Sequence, residues 1–210
     1  MASPRPTSDV PDESVTGRAR RPGGRSAAVR RRVLDATLAQ LVQHGYDSLS
    51  IDTVAERSGV HRTTVYRRWR DVGGLLADVL HEASVDAWRP PDTGSLEGDL
   101  VAVNHEVYVA LTADPVTVAL IAASFRSEQA AEALRAFWTD RYDRCADVAR
   151  RAVERGEIPA GTDARRLLIA ATAPLYHELV LLRAATDAHL PELVARSAAT
   201  AARAGAFTDR

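Results

Sequence analysis

The 210-residue chain has no lysine, a single cysteine, Cys145, and only 5% aromatic residues. One cysteine excludes an intramolecular disulfide framework. The two longest charge-free, largely apolar stretches, residues 115–125 and 167–177, are 11 residues each, whereas about 20 are needed to span a bilayer. No transmembrane helix is expected, and the N-terminus lacks the apolar run of a secretory signal. These absences predict a cytoplasmic protein with no membrane partner. Scarce aromatics and few alternating β-branched residues argue against a sandwich or barrel.

Without lysine, every fixed cation is an arginine, whose forked guanidinium suits phosphate and guanine recognition. The acidic half of the chain lacks lysine too, which favours codon bias in a GC-rich genome as the cause, so the absence carries little functional weight. The net charge of −1 conceals a division at Arg70. Residues 1–70 hold 13 arginines against 7 carboxylates, a net of +6, and residues 71–210 hold 14 against 21, a net of −7. The partner implied for the basic part is a polyanion.

What is present is Ala, Leu, Arg and Glu at helical spacing, which predicts an all-α fold. Residues 1–25, rich in Pro, Gly, Ser and charge, read as a disordered basic arm. The run from residue 18 to 32 contains seven arginines and no acid; such runs are usually just solvated. A helix is expected over 26–44, with Leu34, Leu38, Leu41 and Val42 on one face and Gly45 stopping it in the left-handed conformation. Ser50 is a natural cap for a short helix through Ser58, Gly59 breaks it, and another follows from His61 to Trp69. Asp71 can cap the next, which ends before Pro90 and Pro91. Residues 26–89 thus form a first domain. Helices over 96–112, 115–124, 128–155 and 163–186, the last kinked at Pro174, and one from about Pro191, make a second over 95–205.

Enzyme signals are thin. His177-Glu178 begins a zinc-protease-like string, but Leu181 stands where the second histidine is required. There is no Gly-x-Ser-x-Gly, P-loop or dinucleotide fingerprint, and no histidine pair at metal-ligand spacing. Cys145 lies on an apolar helix face and reads as a packed thiol. No catalytic site, metal or cofactor is expected.

The informative segment runs from Ser50 to Trp69 and reads as helix, glycine turn, helix. Val54, Ala55, Val60, Val65 and Trp69 supply a buried side; Arg62, Thr63, Tyr66 and Arg67 form the opposite one, where hydroxyls and guanidiniums can donate to phosphates and base edges in a major groove. A plain helical hairpin is the bland alternative. The stretch 29–82 resembles the tetracycline-repressor (TetR) family of bacterial regulators, through a helix ending in Gly45-Tyr46, Ser50 to Ala55, Gly59-Val60, Thr64-Val65-Tyr66, the aromatic Trp69, and Leu75. The resemblance implies an N-terminal three-helix helix-turn-helix domain whose recognition helix is Arg62 to Trp69, with Tyr66 on a phosphate, followed by a larger helical ligand-binding and dimerisation domain. Tyr-Arg-Arg-Trp with an acidic helical tail looks like a subgroup of that family. Many members have Ser-Lys-Glu where this chain has Asp71-Val72-Gly73, so that lysine's phosphate contact has no counterpart. His61 replaces a common Ser or Thr cap, leaving it to cap or to contact a base.

The DNA-contacting set is completed by Arg25 and Arg30 from the basic run and by Ser50, Thr53 and Thr64. Tyr108, Trp138, Tyr142, Tyr176 and His177 are the ligand-pocket candidates, as aromatics with polar tips on facing helices, although each also fits a plain core. Apolar and small residues on the last two helices, Leu168, Leu175, Leu179, Leu193, Ser197 and Ala201, predict a four-helix dimer interface. The implied function is a homodimeric transcriptional regulator, a repressor released from double-stranded operator DNA by an unidentified small-molecule effector. The alternative is a ligand-independent DNA-binding protein whose second domain only dimerises.

Overall fold

The computed structural model describes residues 23–85 and 88–208. The arm expected over 1–25 lies outside them except for residues 23–25, which already belong to the first helix. Apart from one isolated bridge between Thr162 and Thr208, regular structure among the described residues is helical. The helices are α1 (Gly23–His44), α2 (Ile51–Ser58), α3 (Arg62–Trp69), α4 (Val72–Ser84), α5 (Leu96–Thr112), α6 (Pro115–Ser124), α7 (Glu128–Glu154), α8 (Ala164–Tyr176) and α9 (Leu190–Arg203).

Most of them start where a short polar side chain satisfies an exposed amide. Asp71, Ser95, Asp114, Ser127 and Asp163 each accept a hydrogen bond from a backbone N–H in the first turn of the helix they precede, which removes one of the unpaired donors every helix start carries. Gly45 ends α1 with φ 76° and ψ 176°, not in the left-handed helical conformation expected of it. That region is open essentially to glycine alone, and it sends the chain straight into a 3₁₀ turn at Tyr46–Ser48.

Two apolar clusters form the interior. One joins α1 to α4 with Leu120 and Ala123 of α6 and Ala130 of α7. The other joins α5, the second half of α7, α8 and α9, where Ala195, Ala198, Ala199 and Ala202 let α9 pack closely. Val42, expected on the buried face of α1, is exposed.

The helix expected over 163–186 stops early. Pro174 has no N–H to continue the ladder, and from His177 to Leu181 the bonds widen to a π-turn, with Leu182 N–H donating to the His177 carbonyl at 2.9 Å. The extra residue per turn rotates the face that follows, so Leu182 is 60% exposed. Arg183, with φ 51°, ends the segment.

Candidate nucleic-acid interface and ligand cavity

The helix-turn-helix is fixed by a reciprocal cap and a packed seam. Ser50 Oγ accepts from the Thr53 N–H at 3.1 Å, and Thr53 Oγ1 accepts from the Ser50 N–H at 3.1 Å. Gly59 closes α2 in the left-handed conformation. Val54 and Ala55 on α2 and Val65 and Trp69 on α3 are buried between the two helices and the rest of the first cluster. The opposite side of α3 presents Arg62, Thr63, Tyr66 and Arg67 to solvent, with Tyr66 59% exposed. His61 acts as the α3 cap: its Nδ1 accepts from the Thr63 N–H at 3.4 Å and lies 2.9 Å from Thr63 Oγ1.

Arg25 and Ser26 at the start of α1 face Thr64, Arg67 and Arg68 of α3 across a shallow groove. Three guanidiniums and no carboxylate line it among the described residues, which gives a surface that concentrates anions. Arg68, not anticipated from the sequence, donates to Ser26 Oγ at 3.3 Å and lies 5.1 Å from the Trp69 ring centroid.

Other predicted contacts are less free. Arg30 does not face this groove's solvent; it is a strut between α1 and α4. Its Nε and Nη2 donate to Asp78 Oδ2 and Oδ1 at 3.0 and 2.8 Å, and its Nη1 to Glu82 at 2.9 Å. The assignment of Arg30 to DNA is therefore corrected: three of its donors are held within the domain. Ser50 and Thr53 are half-buried in their cap. Arg62 pairs with Asp52 at 2.7 Å, but both side chains are largely exposed, so little holds the pair together in water.

Asp78 itself was not legible in advance. Its Oδ2 also accepts from Trp69 Nε1 at 2.8 Å, so one carboxylate on α4 holds both α1 and the end of α3. Burial alone would raise this carboxyl, yet hydrogen bonds from Arg30 and Trp69 and the Arg30 charge outweigh it and hold it below the usual carboxylate range. The α3–α4 joint is tight. Asp71 N–H donates to the Trp69 carbonyl at 2.7 Å across Arg70, whose φ is 65°, a three-residue turn that is rare and strained for a residue with a side chain. A Cβ on Gly74 would clash with the same carbonyl oxygen. The Asp71-Val72-Gly73 departure is part of this close approach, since Asp71 Oδ1 accepts from Gly74 N–H at 2.8 Å.

A cavity of about 340 Å³ opens between α4, α5, α6, α7 and α8. Trp138, Tyr142 and Tyr176 line it as predicted. Tyr108 and His177 do not: Val107 takes the inward position one residue earlier on α5, and His177 is turned to solvent at the start of the π-turn. Sequence reasoning missed Trp88 on the α4–α5 linker, Glu106, Phe137 and Arg141. Trp88 Nε1 donates to Glu106 Oε2 at 2.7 Å, and the Arg141 guanidinium lies 4.7 Å from the Trp88 ring and 5.1 Å from the Phe137 ring. Burial pushes the Cys145 thiol up to about 12, so it holds no thiolate nucleophile near neutral pH. Leu80 and Ala83 of α4 form part of the wall.

Of the predicted interface residues, Leu168 and Leu175 are 1% and 0% exposed within the single chain. Their side chains are already consumed by the chain's own interior and offer no partner surface, which corrects that assignment. Leu193 is 59% exposed, Ser197 is exposed, and Leu179 and Ala201 are half-buried. Ile169, Leu181 and Leu182 add exposed apolar surface on and just beyond α8.

The family described as tetracyclin repressor-like, C-terminal domain, matches residues 90–198, and bacterial regulatory proteins, tetR family, matches residues 33–79. This chain belongs to the TetR family. It is 34% identical over 148 residues to the HTH-type transcriptional regulator AqdR of Rhodococcus erythropolis, covering 69% of this chain and 71% of that protein. It is 37% identical over 177 residues to the DNA-binding transcriptional repressor TetR of Mycobacteroides abscessus, covering 81% and 90%. The transcriptional regulator FadR from Bacillus subtilis, solved in complex with stearoyl-CoA, shares the fold with a TM-score of 0.61 at 14% identity over 83% of this chain and 98% of that one. The TetR-family chain is thus a transcriptional regulator and not an enzyme. No single helix among its described residues is long and apolar enough to cross a membrane.

Proposed function

We propose that this regulator is a cytoplasmic homodimeric repressor that leaves its operator when a small molecule occupies the cavity. The observation that carries the reading is that one helix serves both places. Leu80 and Ala83 of α4 wall the cavity, while Asp78 on the same helix holds Trp69 at the end of α3 and Arg30 on α1. A ligand that favours one position of α4 shifts the recognition helices in proportion to its differential affinity for the two states. The basic groove and the exposed side of α3 support DNA contact through Arg25, Thr64, Tyr66 and Arg67, and the exposed Leu193 and Ile169 support pairing through α8 and α9. The FadR neighbour in complex with stearoyl-CoA is an instance of this fold with a small-molecule partner. Candidate compounds titrated against the protein on a labelled operator test the reading. Loss of DNA affinity at saturating compound is expected; affinity that no cavity-binding compound changes overturns it in favour of a ligand-independent dimer.

A further inference from the structure

We propose that the cavity takes an uncharged, flat aromatic compound carrying one hydrogen-bond acceptor, which the Tyr176 hydroxyl meets. The proposal rests on the sensor reading above and names the chemistry of its effector. At about 340 Å³ the space is at the small end of ligand pockets and suits a fused ring system with a short substituent.

The wall selects against charge. Glu106 is taken by Trp88 Nε1 at 2.7 Å. Asp114 caps α6, accepting from Val116 N–H at 3.0 Å and from the Thr117 hydroxyl at 2.9 Å. Arg141 lies over the Trp88 and Phe137 rings and donates to the Ala83 carbonyl at 3.3 Å. Each charged group of the lining thus already has partners within the chain. The Tyr176 side differs. Its phenol is pushed far up by burial, with Tyr142 adding to the shift and no charged group acting on it, so the hydroxyl is always a donor and an ion placed there would lose water without gaining a counter-charge. No hydrogen bond from the Tyr176 hydroxyl is found among the described residues. A hydroxyl that lines the cavity and has no acceptor within the chain is open to a ligand carbonyl or ether. Ring shape follows from the aromatics. Trp138 meets Tyr176 at 5.4 Å and 83° and Phe137 at 5.1 Å and 78°. These rings give the cavity an aromatic wall against which a flat aromatic ligand can pack.

Tryptophan fluorescence of the full-length protein should be titrated with 2-acetylnaphthalene, naphthalene, 2-naphthoate and 2-naphthylmethylammonium, on the wild type and on Tyr176→Phe. The neutral ketone should bind tightest, with the anion and the cation each weaker by about 30-fold or more, the scale set by unpaired buried charge. Tyr176→Phe should weaken the ketone about 3- to 10-fold, as for one lost hydrogen bond, and leave naphthalene unchanged; an unaltered thermal midpoint shows that the variant folds. Equal or tighter binding of either ion, no saturable binding of the ketone, or equal effects of Tyr176→Phe on ketone and naphthalene overturns the ligand class. Binding in the expected order without loss of operator affinity upholds the ligand class and overturns the sensor reading instead.

Discussion

Arg30 and Arg67 are the same residue type in the same basic half, yet one is a strut and the other faces the groove. The difference is decided by Asp78, 48 residues from Arg30, and no local pattern announces a partner at that distance. Caps are different. Ser50, Asp71 and Asp163 were readable because a cap and the amide it accepts from lie within three residues of each other. At Tyr66, exposed on α3, Tyr66→Phe should weaken binding to every DNA site about equally, by roughly 3- to 10-fold for one lost phosphate hydrogen bond; electrophoretic titration on two unrelated operators checks this, and a change of sequence preference would contradict it. At Arg70, where φ is 65°, Arg70→Gly should relieve backbone strain and raise the free energy of unfolding by about 1 kcal/mol, measured by urea denaturation.

At the scale of elements, α4 is the member with the most to explain. It contributes Leu75 and Leu76 to the first core cluster, walls the cavity with Leu80, and grips α1 and α3 through Asp78. Asp78→Ala leaves the Trp69 N–H and the Arg30 guanidinium without their acceptor, and should cost about 1–2 kcal/mol, discounted because the site is partly exposed. The pH dependence has a definite sign. A carboxyl held below its unfolded value stabilises the fold above that value and stops doing so as pH falls through the folded one. The gap in unfolding free energy between wild type and Asp78→Ala should therefore be full at neutral pH and shrink below about pH 4; a gap that widens with acid would contradict the role of Asp78. The α8 region shows where element-level reading fails. Leucine spacing continued the helix to residue 186, but Pro174 and the π-turn changed the angular step, so the inward series ended and His177 and Leu182 turned to solvent. Periodicity fixes which residues share a face only while residues per turn stay constant.

For the whole molecule, a basic N-terminal stretch and an acidic helical remainder are legible from charge and helix pattern, and the cavity between α4 and α8 is not, because enclosed volume depends on how five helices cross. The outward apolar residues of α8 and α9 give the oligomer prediction. Leu193→Arg changes a side chain already 59% exposed, so the fold should hold with unchanged helical circular dichroism, while sedimentation at micromolar concentration should show monomers and operator affinity should fall at least about tenfold, since each monomer reads one half-site. A dimer that survives the change would place the interface elsewhere. The central claim, that paired α3 helices read DNA, is tested most directly by sequencing fragments that the purified full-length protein selects from a random pool. The account predicts enrichment of an inverted repeat whose half-sites are spaced by about one helical turn or a multiple of it; no enrichment, or a lone half-site without a symmetric mate, would contradict it.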